Sequence, residues 1–235
     1  IWLDWRWIFG MLAVFGAGCF LAVLFWLPET LSPETARFNR ALPWRAVLGD
    51  FRGIMRNRAF VAYGLTGGCS FAAMFAYISG SPFVLMNLYG VAVEHFGLYF
   101  GANALSFIVC SQINARLLRV HSPRRLLDFG VGLFIVGTTA LMIVVWVGSE
   151  SLLPLMATLT VSLGALGFIA ANTTALALST FSREAGAASA MLGTMQLGVG
   201  AIAATLVGLL HDGTAVPLGM VILGGALTAG IALKS

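Results

Sequence analysis

The sequence predicts an all-α membrane protein, a polytopic bundle of seven transmembrane helices, and three observations predict it. The first is composition. Of 235 residues, 59% are hydrophobic and only 9% are charged, where a soluble domain carries roughly a quarter. Thirteen basic and nine acidic residues cannot cover a soluble protein of this size, which excludes a soluble enzyme and a soluble nucleic-acid binder. The second is the spacing of the charges. Stretches free of Asp, Glu, Lys, Arg and His run over 7–28, 59–93, 96–115, 129–149, 151–182, 185–210 and 213–233, each at least 20 residues long. About 20 apolar helical residues cross the ~30 Å hydrocarbon core. In hydrocarbon every backbone polar group must be paired inside the protein, so runs of this kind read as helices.

The third observation is where the basic residues fall, because cytoplasmic loops are enriched in Lys and Arg. Alternate loops carry twelve positive residues against one: Arg6 stands alone before the first run, and the cytoplasmic set includes six arginines over 29–58 and four over 116–128. The first helix is therefore expected to enter from outside, and the C-terminus to lie in the cytoplasm. The sequence pI near 9.4 thus reflects membrane topology, and no single basic footprint for nucleic acid is present.

The elements follow in order. Residues 1–28 read as one crossing helix. The chain opens Ile1-Trp2-Leu3-Asp4, with no Met and no leader pattern, which points to a chain cut from a longer one. Residues 29–58 read as a cytoplasmic loop. In it Ser32-Pro33 has the form of a helix start, and Trp44, Val47, Leu48, Phe51, Ile54 and Met55 recur at helical spacing opposite Arg45, Arg52 and Arg56. Such a helix either lies in the membrane interface with its arginines toward anionic headgroups or packs on the ends of the spans. Residues 59–235 read as a six-helix bundle whose run lengths repeat long–shorter–shorter, as transporters built from three-helix repeats do. Cys19, Cys69 and Cys110 all fall inside apolar runs without paired spacing and read as packing residues.

Small and polar side chains form stripes on several spans. The second carries Tyr63, Thr66, Gly67, Ser70, Met74, Tyr77 and Ser81, flanked by Phe71 and Phe75; the third carries Asn103, Ser106, Cys110 and Asn114. The fifth has Thr158, Ser162 and Asn172, and the sixth has Gln196 beside Gly200, Ala204 and Gly208. The last three read as a small-xxx-small packing face. Asn103, Asn172 and Gln196 must either pair across helices or face a watery cavity, since an unpaired amide at membrane depth is costly. Phe71, Met74, Phe75 and Tyr77 are either an adaptable apolar pocket or ordinary core. No acid, base or histidine lies inside a charge-free run, so a proton-coupled device would need its titratable group elsewhere. His95, His121 and His211 sit at span ends, the lysine of a retinal protein is missing from the last span, and no His-Glu-x-x-His run occurs. The chain therefore carries none of these signatures of a retinal protein or an intramembrane protease.

Several strings resemble a known family. Trp5-Arg6-Trp7-Ile8-Phe9, with Leu27-Pro28-Glu29-Thr30 at the other end of the span, resembles the sixth helix of multidrug efflux proteins of the major facilitator superfamily. Ala76-Tyr77-Ile78-Ser79-Gly80-Ser81-Pro82-Phe83-Val84 resembles the seventh helix of its bicyclomycin/chloramphenicol resistance subfamily. Ala171-Asn172-x-Thr174-Ala175-Leu176-Ala177, Gly186-x-Ala188-Ser189-Ala190-x-Leu192-Gly193-x-x-Gln196 and Gly208-Leu209-Leu210-His211-Asp212-Gly213 resemble that subfamily's tenth and eleventh helices.

The resemblance implies the C-terminal six-helix half of that fold plus the last helix of a missing N-terminal half, in the inner membrane. It implies proton-coupled antiport of a drug-like, amphipathic small molecule, with the proton gradient as driving force, no cofactor, no metal and no nucleic acid. It implies cavity positions for Tyr77, Asn103, Asn172 and Gln196, which with the apolar Met74, Phe71 and Phe75 make up the candidate substrate-binding residues. Arg119, Arg124 and Arg125 resemble a degenerate copy of the family's cytoplasmic gating motif that lacks the usual Asp. The main alternative is a solute importer of the same superfamily, and a receptor-like membrane protein is a further one.

Overall fold

A computed structural model describes residues 5–27, 44–181 and 184–235, and every regular element among them is helical. Two compact units are present, residues 1–46 and 47–235. In the first, α1 spans Trp5–Trp26, free of acidic residues and proline. The Ser32-Pro33 helix start and most of the arginine-rich loop lie outside the described residues. Helix α2 spans Trp44–Arg56, crosses from one unit into the other, and gives the helical spacing of the loop its expected form.

The second unit holds α3 (Arg58–Pro82), α4 (Val93–Leu117), α5 (Pro123–Trp146), α6 (Leu152–Leu178), α7 (Ala185–Leu209) and α8 (Val216–Lys234). Among the described residues seven helices, α1 and α3 to α8, are long and apolar enough to cross a membrane. Local chemistry sets their ends. The Asn57 side chain accepts from the Phe60 N–H at 3.0 Å and caps α3. Ser122 caps α5 with Pro123 at the first helical position, so α5 begins six residues before its charge-free run and carries Arg124, Arg125 and Asp128 on its first turns. At the other end of α3, Pro82 has no N–H to continue the ladder, and the helix widens into a π-helical turn over Phe83–Leu88. There the Tyr89 N–H reaches back five residues to the Val84 carbonyl. Gly90 and Gly148, each with positive φ, then turn the chain after α3 and α5.

The six helices pack by exchange between two triplets, α3–α5 and α6–α8. The first helix of each triplet receives the second and third helices of the other: α7 and α8 pack on α3, and α4 and α5 pack on α6. The two first helices touch each other, as do the two third helices, while consecutive helices within a triplet touch only sparsely. The long–shorter–shorter order of the run lengths is the trace of this arrangement, for α3 with its π-turn and α6 are the longest spans and the central ones. Leu127, Val131, Phe134, Leu159, Leu163, Ile169 and Ile222 fill the core between α5, α6 and α8. Helices α4 and α7 bury few residues and leave much of their length uncovered.

Candidate functional site

The striped residues divide among three environments. On α3, successive positions of the stripe turn around the helix far enough to meet different neighbours. The Thr66 hydroxyl donates to the Ala62 carbonyl of its own helix and reaches the Ala229 carbonyl of α8. Gly67 instead faces the Gln196 amide of α7 and the Thr173 hydroxyl of α6. Met74 and Tyr77 line a cavity of about 230 Å³ together with Ile78, Phe100, Asn103 and Leu163. This groove lies between α3 and α4 with α6 as its floor.

Its polar groups are already paired. Asn103, 0% exposed, donates through Nδ2 to the Tyr77 Oη at 2.9 Å, and its Oδ1 accepts from the Thr160 hydroxyl at 2.9 Å. Ser106 donates to the Thr160 carbonyl at 3.0 Å. The Tyr77 ring stacks on Phe100 with centroids 5.3 Å apart. The groove is therefore an almost wholly apolar, aromatic-walled surface stiffened from behind by neutral hydrogen bonds. It can hold an uncharged or apolar group by shape and dispersion.

Asn172 lies elsewhere. It is 1% exposed, donates to the Asn114 Oδ1 at 2.8 Å and to its own helix at Phe168, and so ties α6 to α4 below the groove. Phe75 packs its ring against Gly200 of α7, and Phe71 is half-buried on α3. Gln196 is half-buried, with its Nε2 enclosed and without a hydrogen-bond partner among the described residues. Of the seven binding candidates, the fold brings together Met74, Tyr77 and Asn103. The packing face read from Gly200, Ala204 and Gly208 is interrupted, because Gly208 has open space beside it. Thr160 was missed in sequence because it falls two residues off the Thr158–Ser162 line.

At the arginine-rich end, Arg124 is a junction of three helices. Its Nε meets Asp128 at 3.2 Å, Nη1 donates to the Tyr63 hydroxyl of α3 at 3.2 Å, and Nη2 donates to the Leu233 carbonyl of α8 at 2.8 Å. Asp128 is thus the acid partner of Arg124, four residues on along the same helix. The i, i+4 spacing was its signal, hidden because the helix starts earlier than the charge-free run. Arg119 and Arg125 are exposed. A planar guanidinium serves three acceptors where a lysine ammonium cannot match the fork. Arg124→Lys is accordingly expected to loosen the last turn of α8, measured as faster amide hydrogen exchange near Leu233. Unchanged exchange would show that the clamp bears no load.

The opposite end is tied by other groups. The Tyr89 hydroxyl donates to the Ser149 carbonyl at 2.8 Å, and burial pushes its pKa up. Thr214, through its hydroxyl and its N–H, holds the Asp212 carboxyl below the ordinary value.

Comparison with known proteins fits this geometry. The family model described as Major Facilitator Superfamily matches residues 1–205. The chain is 31% identical over 218 residues to an uncharacterized MFS-type transporter, YdgK, of Bacillus subtilis, covering 93% of this chain and 53% of the relative. It is 27% identical over 223 residues to a bicyclomycin resistance protein homolog of Haemophilus influenzae, covering 92% of this chain and 53% of the relative. It is 27% identical over 145 residues to the multidrug resistance protein MdtM of Escherichia coli K12, covering 60% of this chain and 33% of that protein. The chain spans about half the length of the first two relatives. With seven membrane-length helices, the exchanged triplets and this match over most of its length, the chain is a multi-pass membrane protein that belongs to the Major Facilitator Superfamily, a family of transporters and not of enzymes.

Proposed function

We propose that this chain is the C-terminal portion of an inner-membrane drug exporter, comprising the last helix of a preceding half (1–28), a cytoplasmic loop (29–58) and a six-helix half (59–235). In this reading the arginine-rich end faces the cytoplasm and the substrate binds between the two halves. The groove between α3, α4 and α6 supplies one wall of the binding site, through Met74, Tyr77 and Asn103. Phe71, Phe75, Asn172 and Gln196, which the fold places outside the groove, are kept in this reading as further candidates for contact with the substrate. Arg124, with Arg119 and Arg125 beside it, acts in gating at the cytoplasmic end.

The observation that carries the reading is the apolar, aromatic character of the groove and its lack of any acid or base. Such a surface suits an amphipathic drug-like molecule better than a sugar or an amino acid, whose hydroxyls or charges would need polar partners. The likeness to proteins named for bicyclomycin and multidrug resistance supports it. Proton antiport follows only if the remainder of the protein holds the titratable group, since the charge-free runs of this chain hold none.

The test is expression of the complete gene in a host stripped of its own efflux pumps. Lowered sensitivity to at least one class of amphipathic compound is expected, with substrate-induced proton movement in inverted vesicles. Unchanged sensitivity across a broad panel, with uptake of a nutrient, would replace this reading with a solute importer. The chain alone in liposomes is expected not to transport.

A further inference from the structure

Helix α2 presents two different faces at its C-terminal end. Ile54 is 2% exposed and sits in a small apolar cluster with Phe60 of α3, Ala177 of α6, and Ala188 and Leu192 of α7. That contact pins α2 to the end of the bundle. Arg52 and Arg56, four residues apart, both lie on the side opposite Ile54, and both are exposed. Arg58, the first residue of α3, is exposed just beyond them.

Among the described residues none of these three arginines has an ion pair, and the salt bridge found there is Arg124–Asp128. Like charges four residues apart repel, so this face is electrostatically incomplete as it stands. Its place in the chain says what completes it. Asn57 separates α2 from a helix long and apolar enough to cross a membrane that begins at Arg58, so the three arginines stand at the charged end of that apolar span. The phosphates of lipid headgroups occupy that level, and basic side chains there attract anionic lipids. Met55, 42% exposed beside the arginines, adds an apolar group at the same boundary.

We propose that Arg52, Arg56 and Arg58 form a binding site for the headgroup of an anionic phospholipid, with α2 held against the bundle by Ile54 so that the site is preformed. The site is independent of the exported substrate.

The experiment uses the full-length protein in detergent, titrated separately with phosphatidylglycerol and phosphatidylcholine, with one-to-one adducts followed by native mass spectrometry. Phosphatidylglycerol is expected to bind the tighter of the two. Each arginine removed should cost roughly fivefold in that preference, the equivalent of ~1 kcal/mol per basic residue near a lipid surface. R52Q/R56Q should therefore lose about twenty-five-fold, whereas R52K/R56K should keep most of it and R116Q, at the same end on α4, should leave it unchanged. Glycerol phosphate at equal concentration should not displace the lipid. The proposal is overturned if R52Q/R56Q retains the preference while remaining folded by circular dichroism. It is equally overturned if R116Q lowers the preference as much, which would make the attraction diffuse, or if glycerol phosphate competes, which would make the site one for free anions.

Discussion

Gly167→Ala is expected to destabilise the bundle more than any other single added methyl group. A Cβ built at Gly167 would stand 2.6 Å from the Ser111 amide nitrogen and 2.7 Å from the Phe107 carbonyl oxygen of α4. These are backbone atoms, which cannot swing aside as a side chain does. Helix α4 must move away from α6, and overpacking of this kind costs about 1–3 kcal/mol. The displacement also stretches the Asn172–Asn114 and Thr160–Asn103 hydrogen bonds that flank the crossing. Gly193→Ala on α7 is the matched control, because nothing lies within 4 Å of its Cβ position. There the methyl only restricts the unfolded chain and should be neutral or stabilising by roughly 0.5–1 kcal/mol. Thermal unfolding in detergent, followed by fluorescence-detected size exclusion, separates the two. Equal melting temperatures would mean that the helices do not approach this closely.

Asn103→Leu is expected to have the second-largest effect, on both stability and substrate range. The substitution keeps the volume but leaves the Thr160 hydroxyl without its acceptor and the Tyr77 hydroxyl without its donor. Hydrogen bonds between membrane helices average about 0.6 kcal/mol each, and stranding a buried polar group costs about 1–3 kcal/mol. A loss of about 1–2 kcal/mol lies between these limits. Tyr77→Phe removes one partner alone and should cost less, and the double variant should lose less than the sum, with a coupling of at least ~0.5 kcal/mol. On the function proposed above, Asn103→Leu in the full-length protein should also narrow the set of compounds tolerated, because the stack of Tyr77 on Phe100 loses its brace. Strict additivity in unfolding experiments would break the link between the two side chains.

Much of the architecture could be read from spacing alone, because hydrocarbon imposes a length and a charge rule on every crossing segment. The seven membrane-length helices follow from the charge-free runs, and the helix over Trp44–Arg56 follows from the helical spacing of its apolar residues. Helix ends were less legible where caps overrule composition. Ser122-Pro123 starts α5 among charged residues, and so Asp128 was assigned to a loop and its pairing with Arg124 went unseen. The candidate site was legible only in part. Periodicity identifies a polar stripe but not which neighbour it meets, and over the length of α3 the stripe turns from α8 through α7 to the groove. Asn103 and Asn172 look alike in sequence, yet one braces the groove while the other joins α4 to α6 at a different level. That distinction depends on which helices pair, and the pairing is set by long-range exchange that no local pattern records.

The exchange of partners has a consequence for how the protein is made. Asn103 and Asn114 emerge from the ribosome on α4, but their partners Thr160 and Asn172 belong to α6, which follows only after α5. Until α6 arrives, the Asn114 side chain lacks its partner and Asn103, although Tyr77 of α3 can take its N–H, lacks the donor for its Oδ1, a costly state for a nascent chain. The first triplet is thus no stable stopping point during insertion. A chain truncated after α5 should be retained by the insertion machinery or removed by membrane proteases, whereas release after α6 should let the amides pair and the helices leave together.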